Sequence, residues 1–180
     1  MTQDTTKNTL PLFYRQPRAL HPAAHGDRSL ATDTGHGFAA KTNAVPVVAE
    51  EIPVAGRQFP IVFSNEAAPH PVAILGLRDE QNLFVNEAGR WREGVYIPAY
   101  VRRYPFIFLE NEAGTELTLC VDEAAACLVA GQANPLFDAK GEPTPVTRSA
   151  LAFCRDYQAQ HKLAAEFAAA VAAADLLVEH

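Results

Sequence analysis

Cysteine is scarce in this sequence of 180 residues: there are three, at positions 120, 127 and 154, and none belongs to a Cys-x-x-Cys pair. An odd number of separated thiols does not suit a disulfide framework or a zinc site, and it favours small buried thiols in a reducing compartment. An excess of positive charge is also missing, because the net charge is −6 at pH 7. The composition therefore argues against non-specific binding of nucleic acid.

Long apolar runs are missing as well. The longest run of small apolar residues, Phe167–Val178, contains Asp175 and is too short to span a bilayer. The first eight residues are polar and hold no apolar stretch of the kind found in a secretory signal. We therefore expect no direct membrane insertion and a cytoplasmic location.

Catalytic and metal-binding motifs are absent or interrupted. Ser64 follows an apolar segment, but no Gly-x-Ser-x-Gly sequence surrounds it. The segment Gly35–Gly37 lacks the spacing and the following helix of a phosphate loop. His21 and His25 stand four residues apart, but Pro22 interrupts the pair, and histidines in a polar surface arm are the commoner explanation. We therefore expect no metal site and no cofactor.

What is present fits one globular domain. Hydrophobic residues make up 48% of the chain and charged residues 20%, which is typical of folded soluble proteins. A chain of 180 residues is long enough to bury a sizeable core. We predict a single domain over residues 1–180, with residues 1–10 flexible.

Short apolar segments between turn residues predict five strands. They are Phe59–Ser64, Val72–Leu77, Asn82–Val85, Phe106–Leu109 and Glu116–Val121. The links between them leave room for only one short helix, whereas parallel strands need long crossover connections. The pattern therefore favours an antiparallel or mixed sheet over a doubly wound parallel one. The proline-rich segment Leu12–Leu30 predicts an irregular arm laid over the core.

Helices are predicted around these strands. A proline at the start and another after the last turn delimit a short helix over Pro98–Arg103. Asp122 suits the N-cap of a short helix over Glu123–Ala130. Apolar side chains recur at helical spacing over Thr147–Val178, which predicts one long helix. The predicted fold class is α+β: one domain with a mainly antiparallel or mixed sheet, a short proline-initiated helix and a long C-terminal helix packed on one face.

The stretch Gly89–Phe106 concentrates the large aromatic residues of the chain. It holds the only tryptophan, three of the five tyrosines and the adjacent arginines Arg102 and Arg103. It can form an aromatic core with solvated arginines, or a surface on which rings stack on a ligand and an arginine binds a carboxylate or phosphate. The ligand-binding candidates in and around this stretch are His25, Trp91, Tyr96, Tyr100, Arg102, Arg103 and Asp122.

The two adjacent arginines cannot play the same role. Neighbouring positions on a helix differ by about 100°, so Arg102 and Arg103 point in different directions. We hypothesise that one is structural and lies against tyrosine or tryptophan rings or pairs with a nearby glutamate. The other should be partly exposed beside Trp91 or Tyr100 and face a ligand or partner.

Several of these segments together resemble the SapC family. The resemblance is carried by Pro60–Phe63, Val72–Leu77, Asn82–Val85, Trp91 and the run Tyr96–Phe106. It extends to an early aromatic residue, proline and histidine and to the loop before the long helix. These outer positions are Tyr14, Pro17, His25, Leu136–Asp138, Gly141 and Thr144.

The resemblance implies a setting and no mechanism. The family is named for a link to the secretion of a bacterial surface-layer protein, and it offers no established catalytic residue to carry over. Combined with the lack of an assembled catalytic set, it implies a non-catalytic accessory or binding protein of a surface-layer export or envelope-related pathway. The expected partner is an unknown protein or a small anionic ligand. Members usually continue past the long helix, so we expect this chain to be truncated at its C-terminal end.

Two other classes of function remain open. One is an enzyme acting on a small amino-acid or peptide-like anionic substrate, with chemistry from His25, Arg102, Arg103 and Asp122. This class requires the four side chains to converge in one pocket. The other is a purely structural interaction module, which predicts no deep pocket and one exposed apolar patch.

Overall fold

The computed structural model describes residues 10–110, 116–131 and 133–178 of the chain. The expected flexibility of the first residues concerns positions 1–9, which lie outside the described residues. The predicted turn at residues 111–114 and the last two residues of the chain lie outside them too.

Eight strands and four α-helices make up the described fold. The strands are β1 (Pro17–Ala19), β2 (Arg28–Leu30), β3 (Ala44–Pro46), β4 (Ile61–Phe63), β5 (Pro71–Ile74), β6 (Phe106–Glu110), β7 (Leu117–Asp122) and β8 (Leu128–Ala130). The helices are α1 (Pro22–His25), α2 (Ile52–Ala55), α3 (Ala99–Arg102) and α4 (Pro145–Ala173), with 3-10 turns at Gly37–Ala39 and Ala49–Glu51.

The strands form three small sheets, ordered β1-β7-β6, β2-β8 and β3-β5-β4. Every strand pair in the described part of the chain is antiparallel. This confirms the predicted α+β class with antiparallel pairing. For the two pairs of consecutive strands, β4–β5 and β6–β7, the links of seven and six residues are too short for the crossover that a parallel pair needs.

The N-terminal arm is more regular than predicted. Its residues supply β1, which pairs with β7, and β2, which pairs with β8. The partners lie about a hundred residues away along the chain, with Arg18 opposite Val121 and Ser29 opposite Val129. Strands of three residues are too short to show a periodic pattern, so only the distant partners reveal them.

Two local predictions are wrong. The segment Glu123–Ala130 is a turn followed by β8, because its backbone pairs with β2 instead of closing a helix. The segment Asn82–Val85 forms no strand and contributes a single bridge between Val85 and Trp91. There the Asn82 side chain accepts from the backbone N–H of Phe84 at 2.9 Å, so local side-chain bonding replaces a sheet ladder.

The two predicted helices that flank the site are present. α3 begins one residue after the expected start, and α4 covers 29 residues with Pro145 in its first turn. α4 ends five residues before the predicted boundary at Val178. Its buried side chains include Cys154, Tyr157 and Ala168, and it packs against β6, β5 and the 3-10 turn Ala49–Glu51. No helix within the described residues is both long and apolar enough to cross a membrane.

The largest core cluster surrounds the aromatic stretch. Trp91, Tyr100 and Val101 are buried there together with Leu75 and Tyr157. The stretch therefore lies between the β3-β5-β4 sheet and α4, and most of its rings are part of the core.

Candidate functional site

A buried carboxyl group, Glu51, holds the start of α3. Its side chain is 2% exposed, and its two oxygens accept from the backbone N–H groups of Val48 and Ala99, both at 2.8 Å, and from the Tyr96 hydroxyl at 2.9 Å. Ala99 is the first residue of α3, so the carboxyl group satisfies one of the N–H groups that a helix start leaves without a partner.

Sequence reasoning missed Glu51. The available signal was an acidic pair, Glu50 and Glu51, directly before the apolar Ile52-Pro53-Val54 segment. Acidic residues are favoured at helix starts, but the sequence does not tell that this acid serves a helix 48 residues further along the chain.

Arg103 is the structural member of the arginine pair. Its guanidinium lies between the rings of Tyr100 and Tyr157, 4.0 and 4.4 Å from their centroids, and 5.8 Å from the centroid of Tyr14. No carboxyl group pairs with it among the side chains that the structure describes, which do not include that of Glu110, and its Nε makes no hydrogen bond. Contact with three tyrosine faces thus takes the place of an ion pair.

Arg102 lies on the other side of α3 and is exposed. Its guanidinium is 5.6 Å from the Tyr96 ring centroid and 5.2 Å from that of Phe153. Nε donates to the Ile97 carbonyl at 3.0 Å, and one terminal nitrogen donates to the Tyr96 hydroxyl at 3.2 Å. The rings beside the exposed arginine are therefore those of Tyr96 and Phe153, in place of the expected Trp91 or Tyr100.

Asp122 is the second buried carboxyl group. It is 0% exposed and accepts four hydrogen bonds. The donors are the backbone N–H groups of Arg15 (3.2 Å), Gln16 (2.7 Å) and Ala124 (3.3 Å) and the hydroxyl of Tyr104 (3.0 Å). The bond from Ala124 is the predicted capping bond, but it caps a turn instead of a helix. The other three bonds hold the N-terminal arm and the segment that follows α3.

His25 occupies a different part of the fold. It is 2% exposed, and its Nδ1 lies 3.1 Å from the backbone oxygen of His21. Its Nε2 lies 3.3 Å from the Glu123 carboxyl group, outside hydrogen-bond geometry, while Glu123 also contacts Arg18 at 3.1 Å. Within the described chain, no group of three His, Cys, Asp or Glu side chains is arranged to hold a metal ion.

Trp91 and Tyr100 belong to the core. Trp91 is 8% exposed, donates from Nε1 to the Tyr96 carbonyl at 3.1 Å and stacks on Phe84 at 6.2 Å between centroids. Tyr100 is 7% exposed and donates to the Leu12 carbonyl at 3.3 Å. These two rings are therefore structural, and Tyr96 and Arg102 are the candidate residues of the stretch that are neither buried nor enclosed by rings.

A cleft of about 620 Å³ opens beside α3. Residues 33–38, the turn at 88–89, the end of α3 and residues 126–127 surround it. Three of its aromatic residues form a continuous cluster, which we call the aromatic floor: Phe13, Phe38 and Tyr104. The Phe38 and Tyr104 rings stack at 4.1 Å, and Phe13 meets Phe38 edge-on at 5.1 Å. A cleft of this volume does not favour the hypothesis of a purely structural module, which predicts no deep pocket.

The cleft does not unite the proposed catalytic groups. Of His25, Arg102, Arg103 and Asp122, only Arg102 lines it. Asp122 lies behind the cleft wall, where its oxygens are occupied by the four donors described above. The enzyme hypothesis therefore has no assembled set of acid, base and cation in this cleft.

Some charged side chains around the cleft are paired and others are not. Arg90 holds Asp33 in a two-pronged ion pair, and this hydrogen bonding lowers the pKa of Asp33. Burial, assisted by the charge of Arg90, lowers the pKa of His36, so this histidine is neutral at pH 7. Arg15 and Arg102 remain as cations that no carboxyl group in the described residues neutralises.

A Ser-His-Glu group elsewhere in the fold is not a catalytic triad. The hydroxyl of Ser64 lies 2.9 Å from Nδ1 of His70, and the Glu66 carboxyl group lies 3.5 Å from the same Nδ1. A triad needs the nucleophile and the acid on opposite ring nitrogens. The His70 backbone N–H also donates to Ser64 at 3.1 Å, so the group stabilises the link between β4 and β5.

The three thiols are poor nucleophiles. Burial raises the pKa of Cys120 and Cys127, and it raises the pKa of Cys154 to about 11. Since the thiolate is the reactive form, these residues are largely protonated and unreactive at neutral pH. Cys127 lines the cleft as a small apolar surface.

A family model described as SapC matches residues 20–180 of the chain. All seven candidate residues named from the sequence lie inside this range. No curated protein and no solved structure is similar enough to match the chain.

The arginine pair gives a matched prediction. Arg103→Ala should lower the free energy of unfolding by about 2 kcal/mol, because a desolvated cation over aromatic faces and its packed stem are lost together. Arg102→Ala should change it by less than about 1 kcal/mol, because this side chain is exposed. Urea unfolding of both variants measures the difference, and equal losses would contradict the assignment of Arg103 as the structural arginine.

Alkaline stability gives a second prediction. Burial raises the pKa of all five tyrosines, so the folded state holds the phenol protons more tightly than the unfolded chain. This contribution is fully present below the unfolded pKa of about 10 and is lost as pH rises above it.

We therefore expect the free energy of unfolding to decline steeply above about pH 10. Phenolate absorbance at 295 nm should appear in the same transition as the loss of far-ultraviolet circular dichroism. Phenolate absorbance that saturates while the protein is still folded would contradict the burial of these hydroxyls.

Proposed function

The chain belongs to the SapC family, and on that premise we propose that it is a non-catalytic accessory or binding protein of a bacterial surface-layer export or envelope-related pathway. We propose that it acts from the cytoplasm. The family's name supplies the pathway.

The observation that carries the non-catalytic part is the use of the polar side chains. Glu51 and Asp122 accept hydrogen bonds from seven donors between them, counting three for the first and four for the second. Arg103 is enclosed by tyrosine rings. Groups held in this way position the backbone, whereas a catalytic acid or base must reach a substrate.

The state of the cysteines supports the proposed location. All three are free thiols, and two of them, Cys120 and Cys154, are buried. Free cysteines are the usual state in a reducing compartment. A role in export would then depend on contact with a partner at the membrane.

Deletion of the gene in the native host tests the pathway. We expect surface-layer protein to fall at the cell surface and to accumulate inside the cell, as measured by quantitative immunoblotting of the fractions. Wild-type protein supplied from a plasmid should restore the distribution, and another exported envelope protein serves as the control.

A tagged copy in the same fractions should appear with cytoplasmic markers. An unchanged distribution of surface-layer protein in the deletion strain would refute the export role. A tagged protein found only outside the cytoplasm would refute the proposed location.

A further inference from the structure

The cleft beside α3 combines apolar side chains with two arginines that form no ion pair among the described residues. Its aromatic floor is formed by Phe13, Phe38 and Tyr104, and Arg15 and Arg102 are also among its lining residues. Pockets of about 300 to 1,000 Å³ hold small molecules in proteins, and apolar walls with a few convergent polar groups are typical of them. The 620 Å³ of this cleft falls in that range.

The acids near the cleft are not free to neutralise these arginines. Asp33 is bound by both terminal nitrogens of Arg90. Asp122 is fully buried, and its one hydrogen bond with Arg15 comes from the backbone N–H and not from the guanidinium. The guanidinium groups of Arg15 and Arg102 therefore have no ion-pair partner among the described side chains.

Both guanidinium groups keep unused donors. The side chain of Arg15 donates from one terminal nitrogen to the Ala124 carbonyl at 2.5 Å, and no described residue accepts from its Nε or its other terminal nitrogen. Arg102 likewise has one terminal nitrogen without an acceptor, since its Nε and its other nitrogen serve Ile97 and Tyr96. A guanidinium with free, adjacent donors suits the two oxygens of a carboxylate.

The rim of the cleft is preformed by close backbone packing. The N–H of His36 donates to the carbonyl of Gly89 at 2.6 Å. A Cβ atom on Gly35 would lie 2.9 Å from that carbonyl oxygen, and Gly89 has a positive φ of 72°. Glycine at both positions lets the two segments meet, so the rim does not need to be ordered by a ligand.

The cleft wall is fixed from behind. Asp122 binds the backbone of Arg15 and the hydroxyl of Tyr104 at once, and these two residues supply a cation and a ring to the cleft. Preorganised groups lose less entropy when they bind a ligand. The arrangement therefore has the features of a binding site and not of a gap between loops.

We propose that this cleft binds a small organic acid with a ring-bearing apolar body, with its ring on the aromatic floor and its carboxylate on Arg15. The inference deepens the proposed binding role and rests on it. It names the chemistry of the ligand that a non-catalytic member of this pathway would carry or sense.

Titration of the purified protein with phenylacetate tests this chemistry. In two-dimensional ¹H–¹⁵N NMR spectra we expect saturable shifts of the amides of residues 35–38, 88–89 and 126–127. Three controls separate the requirements: phenylacetamide has the ring without the charge, acetate has the charge without the ring, and inorganic phosphate is an anion of another shape. Each should bind at least tenfold more weakly than phenylacetate.

Arg15→Gln is the decisive variant, because its side chain makes one exposed bond to Ala124 and its removal should leave the fold intact. We expect at least a tenfold loss of phenylacetate affinity. Arg18→Gln is the matched control, since Arg18 lies in the same arm, pairs with Glu123 and does not line the cleft. The affinity of the Arg18→Gln variant for phenylacetate should be unchanged.

The absence of saturable shifts with phenylacetate would overturn the proposal, and so would an unchanged affinity in Arg15→Gln. Phenylacetamide that binds as tightly as phenylacetate would contradict the role of the arginines. Acetate or phosphate that binds as tightly as phenylacetate would contradict the role of the aromatic floor. These results concern the purified protein alone. A normal surface layer in the deletion strain would instead refute the export role while leaving the measured binding intact.

Discussion

The carboxyl group of Asp122 is the constraint on which the architecture around the cleft depends. A polar group that is 0% exposed destabilises the fold by about 2 kcal/mol or more unless its hydrogen bonds are made inside the protein. Here the donors come from the N-terminal arm, from Tyr104 after α3 and from the turn after β7. One side chain therefore fixes the path of the arm, the exit of α3 and the wall of the cleft.

Glu51 performs the matching task at the other end of α3. It binds the first N–H of the helix and the hydroxyl of Tyr96, whose ring supports Arg102. Arg103 then fills the space between α3 and α4 through contacts with Tyr100 and Tyr157. The acids of the site thus face inward and hold structure, and the unpaired arginines remain at the surface. This separation of roles favours binding of an anion over acid–base catalysis.

Much of the fold follows from local patterns in the sequence. The apolar spacing along α4 predicts it to within a few residues of its ends, and the prolines around Ala99–Arg102 delimit α3. Strands such as β1, β2 and β8 have three residues each and exist because of partners about a hundred positions away, so no local pattern identifies them. The cleft is assembled from segments between Phe13 and Cys127, and the donors of Asp122 are mostly backbone N–H groups. Neither the cleft nor this set of donors leaves a motif in the sequence.

The role of the arginine pair could be predicted only in part, because helix geometry separates the two side chains but does not tell which ring each one meets.

A double-mutant cycle between Asp122 and Tyr104 tests the central claim most directly. Asp122→Asn, Tyr104→Phe and the double variant are compared with the wild type by urea unfolding. Since a hydrogen bond to a charged group contributes about 1.5–3 kcal/mol, we expect a coupling energy of at least about 1 kcal/mol between the two sites. Losses that add to within about 0.5 kcal/mol would contradict the claim that this buried carboxyl group ties the end of α3 to the cleft wall.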